Sequence, residues 1–189
     1  MKTGRRWNFS AMLFVVLSLP LLLLGNPHAL HAASADEIEI GVNGTLKRFQ
    51  QEIAGGDEFL NKATGVLVFP NVIKAGFGIG GEYGEGALRI NGKTDAYYNT
   101  AAASIGLQLG AQSKSIVIVF LTQKAVNDFR KSEGWKAGVD GSVALVEWGV
   151  GEDINTIDIK DPIVGFVFSN KGLMYNLTLE GAKFTRITR

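Results

Sequence analysis

Residues 76–94, GFGIGGEYGEGALRINGKT, carry two phosphate-binding patterns almost end to end. Gly76, Gly78 and Gly81 match G-x-G-x-x-G, and residues 87–94 match the P-loop if its first glycine is replaced by alanine. A P-loop needs a strand before it and a helix directly after Lys-Thr, because the helix N-terminus and the loop amides hold the phosphates. Asn91-Gly92 is instead the strongest short hairpin signal, two residues that accept positive φ between antiparallel strands. Its flanks, 87–90 and 95–98, read as strand. A dinucleotide fingerprint should open a helix, yet residues 76–86 hold too many glycines to propagate one. Strand alternation fits better: Gly76, Gly78 and Gly80 share one face, and Phe77 and Ile79 the other. Both patterns are therefore expected to be strand and hairpin, with no nucleotide partner.

The same design recurs in SIGLQLG, where Ser104, Gly106, Gln108 and Gly110 alternate against Ile105, Leu107 and Leu109. A bare glycine face lets a sheet curl sharply, or lets another backbone, a helix or a ligand come close. GVLVFP, SIVIVF, GSVALVEW, IVGFVF and LMYNLTL are further short runs rich in branched and aromatic residues, separated by turn formers. Before them, Ile38, Val42, Leu46, Phe49 and Ile53 recur at helical spacing. Gly41 and Gly44 weaken the start of that helix, which is expected to fray there or begin after Thr45. Gly55-Gly56 should end it, with Asp57 capping a short second helix through Lys62. One later helix is expected from Thr122, with Ala125, Val126 and Phe129 on one face and Gly134 stopping it after Lys131. The fold class is α+β: a strongly bent antiparallel β-sheet, or a small barrel-like sheet, with an N-terminal helix and one further helix packed on it.

At the N-terminus, Arg5 and Arg6 precede an apolar run and then the small residues Ala32, Ala33, Ser34 and Ala35. Basic, apolar and cleavable in that order is an export signal. Residues 1–35 are expected to be removed by cleavage at Ala33-Ser34-Ala35, with cleavage after Ala32 or Ala33 as alternatives, leaving residues 36–189 as a single domain. Lys2, Arg5 and Arg6 depart with the leader while every acidic residue stays, so the remaining chain is slightly acidic and does not advertise nucleic acid. The chain has no cysteine, and its two histidines, His28 and His31, lie in the leader. Thiol nucleophiles, imidazole bases, Ser-His-Asp triads and the usual zinc sites are thereby excluded from the domain, and no cofactor is expected. The segment GEDINTIDIKD matches a calcium loop only superficially, because Ile157 occupies a ligand position and the turn glycine is missing. Glu82, Glu85, Asp140 and Glu147 are available for paired-carboxylate hydrolysis, but no spacing singles out a pair.

The sequence resembles the SYLF domain family, lipid-binding modules of bacterial exported proteins and of eukaryotic proteins of endocytosis and the actin cortex. Three blocks carry the resemblance: ATGVLVFP at 63–70 followed by KAGFG at 74–78 with Gly80, Gly81, Gly84 and Gly86; SIGLQLGAQ at 104–112; and Lys171-Gly172-Leu173 with Leu179-Glu180-Gly181. The resemblance implies an α+β fold, non-catalytic binding of phospholipid or phosphoinositide headgroups, and a membrane surface as partner. With the export signal, it implies an exported protein, periplasmic or secreted and peripheral to a membrane. A structural or protein-interaction module of the envelope is the alternative. For a headgroup, Lys74 beside Gly76, Gly78 and Gly80 is the first candidate, since backbone N–H groups there could support a phosphate; pairing with Glu82 or Glu85 is the other role open to it. Lys62 and Lys93 are further candidates, and Lys47 and Arg48 could touch an anionic membrane from the first helix. Of the adjacent Tyr97 and Tyr98, one is expected in the core and the other at an interface. Trp135 and Trp148 are expected to be packing residues.

Overall fold

The computed structural model describes residues 32–145, 154, 159–169, 172–173, 179 and 181–189, and their side chains except at 77–79, 104–111, 169 and 172–173. Most of the expected leader lies outside these residues, as do Glu147, Trp148, most of LMYNLTL and most of the acidic segment. The chain divides into two compact units, Met1–Ala32 and Ala33–Arg189, and every described element belongs to the second.

Helix α1 spans Ala35–Glu52 and is whole from its first turn. A capping box explains why the glycines do not delay it: the Ser34 hydroxyl accepts from the Glu37 backbone at 3.2 Å, and the Glu37 carboxylate accepts from the Ser34 backbone N–H at 2.7 Å. Two otherwise orphaned N–H groups are satisfied at once. Gly41 also has a packing reason, since a Cβ there would lie 2.8 Å from the Pro70 ring. Helix α2, Gly56–Lys62, is capped by Gly55 in the left-handed region at φ 74°, not by Asp57, which lies within its first turn. Only a residue tolerant of positive φ can make this tight exit from α1.

Strands β1 (Gly65–Ile90) and β2 (Lys93–Phe120) form one long hairpin, and the short runs expected as separate strands continue through their glycines. At its tip both Asn91 (φ 51°) and Gly92 (φ 74°) have positive φ, as the hairpin reading requires. The 26 residues of β1 would extend about 85 Å if straight. Instead the ladder shifts register between Phe69 and Val72, between Gly76 and Gly78, and between Leu88 and Arg89. The strand then returns past itself: a Cβ on Gly84 would lie 2.8 Å from the Asn71 carbonyl oxygen, and one on Gly86 2.8 Å from the Phe69 ring.

Helix α3, Gln123–Lys131, follows β2 and is capped by the Thr122 hydroxyl, which accepts from Ala125 N at 3.2 Å. Short strands complete the sheet: β3 (Trp135–Lys136), β4 (Ala144–Leu145), β5 (Ile163–Ser169), β6 (Gly172–Leu173) and β7 (Lys183–Ile187). β2 is the organiser, pairing with β1 throughout, with β7 at residues 97–101 and with β5 at residues 115–120. Among the described residues the strand pairings are antiparallel except β4 with β5, and an isolated parallel bridge joins Ala137 to Gly141.

Strand alternation gives the sheet two apolar faces. Val66, Val68, Val117, Val119 and Phe166 pack with Ile38, Val42, Phe49 and Phe59 of α1 and α2. Leu67, Phe69, Ile116, Ile118 and Phe120 face the opposite way, with Val126 and Phe129 of α3, Trp135 and Phe184. Phe49 meets Phe166 edge-on at 4.8 Å, and Phe129 lies 5.0 Å from Tyr98 and 5.7 Å from Trp135. Trp135 is thus the packing residue its sequence suggested.

Candidate functional site

The glycine face is closed by the strand's own backbone. A Cβ on Gly80 would collide with the Ala75 carbonyl and lie 2.8 Å from the Gly76 Cα, and one on Gly86 would collide with the Val68 carbonyl. Glycine at 80, 84 and 86 therefore serves the fold-back of β1, a contact that any larger residue would prevent. Gly76 and Gly78 flank the register shift, opposite Gly110 and Gly106.

Lys74 lies on the way into this bend, with its Nζ 3.8 Å from Glu82 Oε1, while Lys114 Nζ sits 2.6 Å from Glu82 Oε2. The half-buried carboxylate joins two lysines across the folded strand. Of the two roles open to Lys74, the pairing with Glu82 is the one this contact illustrates. Lys62 sits at the end of α2 with its Nζ 2.9 Å from Glu58, and Lys93 is exposed beside the hairpin tip. On α1, Lys47 is exposed, whereas Arg48 bonds Glu52 at 2.6 Å and lies 5.3 Å over the Phe168 ring.

Two more carboxylates are occupied as ties. Glu39 of α1 accepts from Arg89 at 2.5 Å, Thr94 at 2.6 Å and Tyr97 at 3.1 Å, fastening the helix to the hairpin. Tyr97 is thereby a polar tether, and Tyr98, 2% exposed, is the core member of the pair. Glu85 accepts from the Tyr83 hydroxyl at 2.7 Å and from Ala33 N at 3.0 Å, and pairs with Arg189. Burial and then the Glu85 carboxylate raise the Tyr83 phenol above its ordinary value. Asp140 accepts from Lys136 N at 2.6 Å within a turn. Each of these carboxylates already has a structural partner.

Sequence reasoning missed one constellation. Asn127, Arg130 and Lys131 of α3 and Arg186 of β7 line a cavity of about 230 Å³. Arg130-Lys131 is visible in the sequence as a basic pair ending a helix, but nothing there joins it to Arg186. Strand β7 brings Arg186 opposite Tyr98, whose ring packs on Phe129 of the same helix.

Residues 101–188 match the family model described as Ysc84, Las17-binding protein actin regulator. The match agrees with the resemblance to the SYLF family read from the sequence. The match runs from the middle of β2 through β7 and contains two of the three motif blocks; the first block, in β1, precedes it. No curated protein matches the chain. In structural terms, the first two blocks are segments of β1 and β2 that pair with each other across the hairpin.

Proposed function

We propose that this SYLF domain binds anionic phospholipid headgroups at a membrane surface of the cell envelope and catalyses no reaction. The family match over residues 101–188 carries this reading. It is supported by the lack of Cys and His anywhere after His31, and by the partnered state of Glu82, Glu85 and Asp140. The glycine-lined bend is packed against backbone, which favours docking on a lipid surface over enclosing a lipid. Export, with a periplasmic or secreted location, is part of the same proposal and rests on the leader's sequence.

The test is co-sedimentation of residues 33–189 with phosphatidylcholine vesicles, with and without phosphatidylglycerol. Binding that requires the anionic lipid supports the reading; no binding to either vesicle would overturn it. The matched family's description names a protein partner, which favours a second reading, a protein-interaction module. Exposed Ile40 and Val139 could serve such contacts. A stable crosslinked partner in the absence of vesicle binding would select it.

A further inference from the structure

The cavity between α3 and β7 has the composition of an anion site. Its lining offers two guanidinium groups, an ammonium group and an amide. The Asn127 side-chain oxygen already accepts from Gln123 at 3.0 Å, so its amide N–H groups remain for a ligand. Arg130 is held in place by Asp95 at 2.9 Å, which balances one positive charge. Among the described residues, Lys131 and Arg186 have no carboxylate partner. Cations in the last turn of a helix are ordinarily explained by its negative end, and that accounts for Arg130 and Lys131. It does not account for Arg186, which arrives from a separate strand with its own cross-strand register. Both walls are rigid, because Phe129 anchors α3 among Tyr98, Phe120, Trp135 and Phe184.

We infer that this cavity, lined by Asn127, Arg130, Lys131 and Arg186, binds a phosphate group, presented by a lipid headgroup or by a free phosphate monoester. Guanidinium forks and an ammonium suit tetrahedral oxyanions. At about 230 Å³ the space is large enough for a phosphate group. The inference depends on the headgroup reading only for the source of the phosphate.

The test compares the wild-type protein, the exposed-site double variant Lys131→Gln/Arg186→Gln, and a charge-matched control at two other exposed lysines, Lys124→Gln/Lys136→Gln, each checked for folding by thermal melting. Two probes are used: phosphatidylcholine vesicles containing phosphatidic acid, and inorganic phosphate followed by NMR of the arginine Nε–H groups. Surface lysines and arginines each contribute about 1 kcal/mol to anionic membrane binding, so the double variant should lose about tenfold or more in vesicle affinity. The control should lose less, and phosphate should shift the Arg130 and Arg186 signals of the wild type. Equal losses in both variants, or no phosphate shifts at these arginines, would overturn the site while leaving the headgroup reading standing. Phosphate shifts at these arginines without vesicle binding would support the site with a soluble ligand and overturn the membrane reading. Neither probe binding would overturn both.

Discussion

Glycine 86 shows how much of this fold depends on single atoms. Its missing Cβ leaves room for Val68 and Phe69, so Gly86→Ala must push two strand segments apart and should cost about 3 kcal/mol. Gly44 is the opposite case: a Cβ there meets nothing, and Gly44→Ala in the helix interior should stabilise by about 1 kcal/mol. Urea denaturation of the two variants checks both signs. The glycine alternation was legible in the sequence, but its partner was not, because letters do not show which backbone segment lies against a bare face. Tyr98 yields a pH prediction. Burial, the largest effect, holds its phenol above the ordinary 10.0, while Arg186 lowers it, Asp95 raises it and Arg130 lowers it. With the folded value raised, its contribution to stability is fully present below pH 10.0 and is lost as pH rises through the folded value. Tyr98→Phe should flatten this alkaline fall in a melting-temperature profile; an unchanged profile would assign the fall to other groups.

At the scale of elements, the helices were easier to read than the strands. Apolar spacing located α1 and α3, and Thr122 caps α3 as its position suggested. The start of α1 was misjudged because glycine propensity is a weak prior against a capping box, a buried face and contact with Pro70. Ser34→Ala should cost about 1 kcal/mol, and a chain beginning at Asp36 should be less stable than one beginning at Ala33, read by thermal melting. Hydrogen bonds from the Ser34 backbone and then its hydroxyl hold the Glu37 carboxyl below 4.5. That cap's contribution is present above 4.5 and is lost as pH falls through the lowered value. Leader removal after Ala32 would retain the cap, whereas removal after Ala35 would discard it. The main link between α1 and the hairpin runs through Glu39, with Asn43 a second acceptor for Arg89, and Glu39→Ala would leave Arg89, whose side chain is 14% exposed, without its carboxylate. A loss of about 2 kcal/mol is expected, with faster amide exchange in α1 as the local signature.

Residues 33–189 form a folded hairpin with helices on both sheet faces. Sequence reading placed the headgroup beside the glycine face because Lys74 adjoins it in the chain. The fold pairs that lysine with Glu82 and assembles other cations from α3 and β7, elements far apart in the chain. Composition and motifs could indicate the family and the lack of imidazole and thiol chemistry; they could not assemble a site from residues so far apart. The account's central claim is surface recognition of anionic headgroups by charge. The most direct test is the salt dependence of vesicle binding by residues 33–189, from about 0.05 M to about 0.5 M, because ionic strength over that range screens exposed charges. The account predicts binding to phosphatidylglycerol-containing vesicles that falls steeply across this range. Binding that is unchanged at high salt, or phospholipid that stays with the protein through it, would show an enclosed apolar ligand and contradict the account.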